Sequence, residues 1–160
     1  MKIIIRGPIF EVASVCEPIL RSLPEWFGIE EATAQYIKDT DRLPTLLASI
    51  DDEVVGFLTL RQHSDFAAEI HVMGVRPEVH RTGIGRALVE KAEEMLHRQG
   101  IEYLQVKTLS PSHPDKRYAR TREFYQAMGF RPLEEFEELW GEGNPCLQMV
   151  KSLVCDVDSA

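Results

Sequence analysis

Glu69-Ile70-His71-Val72-Met73-Gly74-Val75-Arg76-Pro77-Glu78-Val79-His80-Arg81-Thr82-Gly83-Ile84-Gly85-Arg86 is the stretch on which the reading of this sequence turns. Its first part belongs to a β-rich run, expected as a strand over residues 67–75. Its second part is a loop with two glycines two residues apart, and it runs into helically spaced apolar residues. Ile84, Leu88, Ala92 and Leu96 recur on one face, with Ala87, Lys91 and Met95 beside them. Gly100 stands where a C-terminal helix cap belongs. In a strand, Gly-x-Gly, helix order, the first helical N–H groups have no internal partners and point outward, where glycine lets a ligand approach the backbone. With the helix dipole they make an anion site suited to a pyrophosphate. The stretch is not a GxxxxGK[ST] loop, and Leu88 occupies the third glycine position of a GxGxxG fingerprint.

Working outward, residues 2–6 read as a first strand and residues 11–21 as a helix. Pro24 is expected to open a second helix over residues 25–38. Residues 45–50 and 53–60 read as a hairpin about Asp51-Asp52, without the usual turn glycine. A strand at 103–109, a loop at 110–115 and a helix at 118–128 ending at Gly129 follow. Residues 130–140 and 146–154 read as a closing strand pair about the turn at 141–145. Such alternation of types predicts a mixed α/β domain. At 160 residues, one domain over 1–155 with a flexible polar tail at 156–160 is expected.

Composition narrows the function. The chain is 44% hydrophobic and 28% charged, ordinary for a globular protein. Its net charge of −8 lacks the basic footprint of nucleic-acid binders and favours cationic ligands. No apolar run has membrane-spanning length, and the N-terminus lacks the apolar region and cleavage site of a signal peptide. Cys16, Cys146 and Cys155 form no CxxC pair, so a reducing cytoplasm is the expected setting. His63, His97 and His113 show no ligand spacing, so no metal is expected. Glu134, Glu135, Glu137 and Glu138 read as a solvated surface.

Residues 75–88 resemble the coenzyme-A-binding segment of the GNAT acetyltransferase superfamily, whose pattern is Arg or Gln, two residues, Gly, one residue, then Gly or Ala, after a strand ending Val-x-Pro. Phe124-Tyr125-Gln126-Ala127-Met128-Gly129-Phe130 is similar to the family's second signature, an aromatic-Tyr pair followed by Gly-Phe. The resemblance implies a mixed, mostly antiparallel central sheet with helices on both faces. It also implies acetyl-CoA as cosubstrate and a primary amine as acceptor. Two positions depart from the pattern: His80 stands in the Arg/Gln position, and Tyr118 where family members often carry Asn.

Acetyl transfer to an amine needs a proton acceptor, a polarised carbonyl, held reactants and a stabilised thiolate. Alternation along the strand predicts Glu69, His71, Met73 and Val75 on one face, with Ile70, Val72 and Gly74 on the other. Glu69 and His71 are therefore the two candidate bases, and Glu69 also stands where some family members carry a catalytic Glu. By resemblance, the Met73 N–H faces the acetyl oxygen and Val75 pairs with the pantetheine arm. His80, Arg81, Thr82, Gly83, Ile84, Gly85 and Arg86 hold the pyrophosphate. Tyr125 is the acid for the leaving thiolate. Trp26, Phe27, Trp140 and Asn144 wall the acceptor site. No cysteine is placed as a covalent nucleophile, so direct attack is expected. The acceptor is a small cationic amine or a protein or peptide amine. The rival reading is a non-catalytic CoA-binding or sensing domain. The edge of the closing strand pair offers a surface on which a homodimer could form.

Overall fold

The computed structural model describes residues 2–154, so the expected tail at 156–160 and Cys155 lie outside the described residues. Seven strands form a mixed, mostly antiparallel sheet in the order β1-β2-β3-β4-β5-β7-β6. They are β1 (Ile3–Ile9), β2 (Thr45–Ile50), β3 (Glu53–Gln62), β4 (Ala67–Val75), β5 (Tyr103–Leu109), β6 (Arg131–Phe136) and β7 (Cys146–Ser152). The helices are α1 (Ala13–Arg21), α2 (Glu30–Arg42), α3 (Ile84–Arg98) and α4 (Lys116–Ala127). The described chain divides into two compact units. The first runs to Arg61 and adds Ile70–Met95; the second takes Gln62–Glu69 and the residues from Leu96 onward.

In the first unit β1, β2 and β3 pair antiparallel, with Ile3 opposite Ile50 and Ile50 opposite Glu53. The β2–β3 turn forms without glycine because both aspartates accept the left-handed conformation, Asp51 at φ 51° and Asp52 at φ 67°. Successive β3 residues meet different helices. Phe57 lies in a buried cluster with Cys16, Ile19 and Leu20 of α1, whereas a side chain at Gly56 would meet Ile84 of α3 at 3.1 Å. Helices therefore cover both faces of this part of the sheet, as alternation along a strand requires. The α3 stripe is buried as its spacing predicts, at Ile84, Leu88, Ala92 and Leu96, joined by Val89.

In the first unit, two helix starts differ from expectation. α1 begins at Ala13 rather than at residue 11 because Glu11 sits at φ 60°, and the Asp41 carboxylate caps the Ala13 N–H at 2.7 Å. Pro24 opens only a single turn, in which Trp26 and Phe27 N–H groups donate to the Leu23 carbonyl. The chain then reverses at Gly28, where a side chain would come within 2.9 Å of the Pro24 carbonyl oxygen, and α2 starts at Glu30. The Thr33 hydroxyl donates back to the Phe27 carbonyl at 3.0 Å and fixes this reversal.

In the second unit β7 lies between β5 and β6, antiparallel to both. Asp115 caps α4 by accepting the Arg117 N–H at 2.9 Å, which starts this helix two residues before the expected position. Arg122 ties α4 to the end of β5 by donating to the Leu109 carbonyl at 2.7 Å. β6 ends at Phe136, earlier than expected, and residues 137–140 bend and turn instead.

Candidate active site

The first unit carries the glycine loop. β4 ends at Val75, and a 3₁₀ turn, Pro77–Val79, leads to an exposed run from His80 to Gly83. Arg81 at φ 65° and Gly83 at φ 89° turn the backbone, and the Thr82 hydroxyl donates to the Val79 carbonyl at 2.6 Å. A Cβ at Gly83 would meet nothing within 4 Å, so this glycine serves its left-handed conformation and leaves open space. The Ala87 N–H donates to the Gly83 carbonyl at 3.0 Å. The N–H groups ahead of Ala87 in α3 therefore precede the first helical hydrogen bond and are available to an anion. Of the loop residues, Ile84 is buried as an anchor, Gly85 is half-buried and Arg86 is exposed, 3.5 Å from Glu90.

His80 does more than fill the Arg/Gln position. Its Nε2–H donates to the Val75 carbonyl at 2.6 Å and fastens the loop to the strand end. The Trp26 ring meets the His80 ring edge-on at 6.1 Å. Trp26 thus stands beside the glycine loop, while Phe27 packs on Tyr36, 5.9 Å between ring centres.

His71 is not a solvent-facing strand residue. Its Nε2 lies 2.7 Å from Oδ2 of Asp39, and the other Asp39 oxygen accepts from the Gln35 amide at 2.9 Å. Tyr36 crosses the His71 ring edge-on at 5.5 Å. The His71 side chain is 17% exposed and that of Asp39 11%. Nothing in the sequence marked Asp39, because its partner lies 32 positions away.

The four β4 residues expected on one face meet different surroundings. His71 meets α2, Val75 lies with Ile84 of α3 around Gly56, Met73 is half-buried, and Glu69 belongs to the second unit. Simple alternation gives the order of side chains along a strand but not the elements that pack on each.

Glu69 is buried and tied on both oxygens. Oε1 accepts from His63 at 2.7 Å and from Gln105 at 3.3 Å, while Lys107 reaches Oε1 at 3.2 Å and Oε2 at 3.0 Å. Burial pushes this carboxyl up, but the hydrogen bonds from His63 and Lys107 outweigh it and hold it below its usual 4.5. Gln148 extends the network by donating to Gln105. His63 is named in the sequence only for lacking metal-ligand spacing, and Lys107 and Gln105 are not named at all; the β5 alternation that places 105 and 107 together is the available signal.

Tyr125 is 5% exposed, packed between Phe124 and Phe130 at 5.3 and 5.5 Å. Burial raises its phenol above the usual range, so it stays protonated and able to donate. Phe124 is half-buried. Trp140 is exposed and the Asn144 N–H closes the turn onto the Gly141 carbonyl at 3.2 Å. The Glu135 carboxylate, expected to be solvated, accepts from the Ser110 and Ser112 hydroxyls. Burial raises the Cys16 thiol to about 12 and the Cys146 thiol to about 11, the opposite of an activated nucleophile.

A strand that ends in a glycine loop at an open helix N-terminus offers backbone N–H groups to an anionic ligand. The chain belongs to the acetyltransferase (GNAT) family, whose model matches residues 12–130. It is 28% identical over 113 residues to an uncharacterized N-acetyltransferase, CT2212, of Chlorobaculum tepidum, covering 69% of this chain and 64% of that one. It is 30% identical over 94 residues to the mycothiol acetyltransferase of Beutenbergia cavernae, covering 56% of this chain and 30% of that one. The chain thus spans less than two thirds of the length of these curated relatives. Among solved structures, the ribosomal-protein-S18-alanine N-acetyltransferase of Escherichia coli matches with a TM-score of 0.74 at 16% identity, covering 96% of each chain. An aminoglycoside 6'-N-acetyltransferase complexed with coenzyme A matches with a TM-score of 0.73 at 19% identity, covering 95% of this chain and 98% of that one. These likenesses establish the shared fold.

Proposed function

We propose that this chain moves an acetyl group from acetyl-CoA to a primary amine by direct attack of the amine on the thioester. The observation that carries the reading is the open N-terminus of α3 after β4, with Gly83 left-handed and unobstructed. Backbone N–H groups of the loop hold the pyrophosphate, with His80, Arg81, Thr82, Ile84, Gly85 and Arg86 shaping the cradle. The Met73 N–H is assigned to the acetyl oxygen and Val75 to the pantetheine arm. Glu69 and His71 are the proton acceptors under consideration, and the protonated Tyr125 phenol is assigned to the leaving thiolate.

The acceptor is a small cationic amine or a protein or peptide amine, drawn by the net charge of −8 and walled by Trp26, Phe27, Trp140 and Asn144. The family match at residues 12–130 takes in residues of both units, which supports reading 1–155 as one acetyltransferase domain. A cytoplasmic setting and a homodimer through β6, the terminal strand of the order, belong to the same proposal.

Calorimetric titration with acetyl-CoA, then thiol release against a panel of amines and peptides, tests the reading. Saturable binding with release on any amine supports it. Binding with no release on a broad panel favours a sensing domain, and no binding overturns the assignment of the glycine loop. Tyr125→Phe is expected to bind acetyl-CoA normally and to lose most of the transfer rate.

A further inference from the structure

We infer that Asp39, on α2, is a positioning residue that fixes the tautomer of His71 and leaves the His71 Nδ1 lone pair to accept the proton of the incoming amine. The inference deepens the proposed acetyl transfer and rests on it. It begins with the cost of burying a carboxylate, which is severe unless the charge is paired and its oxygens are bonded. Asp39 meets both conditions within its own unit. Oδ1 accepts from the Gln35 amide at 2.9 Å and Oδ2 lies 2.7 Å from Nε2 of His71.

An ionised carboxylate only accepts, so the proton of this bond resides on Nε2. In a neutral imidazole the lone pair is then on Nδ1. The edge-on Tyr36 ring, backed by Phe27, limits rotation of the imidazole. His71 keeps 17% of its side-chain surface open to an acceptor. When Nδ1 takes a proton from the amine, the imidazolium that forms is already beside a negative charge, so Asp39 stabilises the product of the proton transfer without touching the substrate.

The test pairs the ring tautomer with kinetics on the full chain. Long-range proton–nitrogen NMR correlations of the His71 ring are expected to show the Nε2–H form in the unaltered protein. Asp39→Asn is nearly isosteric but presents an amide donor to Nε2, which moves the ring proton to Nδ1. With the panel amine that turns over best, kcat is expected to fall by about 10²-fold while acetyl-CoA affinity stays within about twofold. His71→Gln is expected to cost about as much, and the double variant no more than His71→Gln alone, because the pair acts as a unit.

An Nδ1–H tautomer in the unaltered protein overturns the inference without any variant. So does a folded Asp39→Asn that retains kcat within about threefold, or losses that multiply in the double variant. If the unaltered protein neither binds acetyl-CoA nor transfers, the acetyltransferase reading falls and the inference falls with it. Transfer that survives in Asp39→Asn removes the inference alone.

Discussion

Two histidine–carboxylate pairs of the same length, 2.7 Å, occupy the two units, and they are built for different work. In the first unit Asp39 is shared between His71 and a neutral amide, Gln35. In the second, Glu69 is shared between His63, the amide of Gln105 and the ammonium group of Lys107. Among the hydrogen bonds described for it, Asp39 meets an imidazole and a neutral amide, so the protonation of that imidazole matters. The charge of Glu69 is answered by an ammonium group whatever His63 does. A short distance between a histidine and a carboxylate therefore does not define a role; the remaining donors on the carboxylate do.

The sharpest way to break this contrast is Lys107→Met, which leaves Glu69 buried without its permanent partner. Because Lys107 is itself a quarter exposed, the expected loss is about 2 kcal/mol rather than the larger value of a fully buried pair. Urea denaturation measures it, and a change below about 0.5 kcal/mol would mean that His63 and Gln105 suffice. A smaller effect, present above the unfolded carboxyl value and fading in acid, comes from Glu69→Gln. The folded carboxyl lies below its usual 4.5, so its ionised form favours folding. That contribution is fully present above the unfolded value and is lost as pH falls through the folded one. Glu69→Gln should therefore flatten the dependence of stability on pH below about 4.5, and a slope identical to that of the unaltered protein would contradict the assignment. The smallest effect is expected from His63→Gln. Its side chain is 38% exposed and Lys107 remains, so the loss should not exceed about 1 kcal/mol in the same urea titration.

Much of the fold is legible in the sequence where local and global preferences agree. The β2–β3 hairpin, β4, α3 and β5 fall where periodicity puts them, because each carries an unbroken apolar pattern. Pro24 misled the reading because a proline that fits the first turn of a helix fits an isolated turn equally well. What decides there is the Gly28 reversal, a packing constraint with no periodic trace. In the site, the glycine loop is legible because its signal is local: residues 80–86 carry both the turn and the helix start. Asp39 and Lys107 are not, since they reach His71 and Glu69 across 32 and 38 positions and sit among ordinary surface-like charges in the sequence. Glu69 is visible in the sequence as a candidate base but not as one bonded to Lys107 and His63.

The hydrogen bond from His80 to the Val75 carbonyl has a thermodynamic consequence of its own. A carbonyl oxygen has two lone pairs, so an extended ligand that pairs with the end of β4 through that oxygen either shares it with His80 or, where it displaces the ring, trades one protein bond for another of similar worth. Such an exchange contributes little to affinity, because net gains from single hydrogen bonds are about 1 kcal/mol even against water. Its effect is selective instead: a ligand that displaces His80 without supplying a donor of its own strands the Val75 carbonyl.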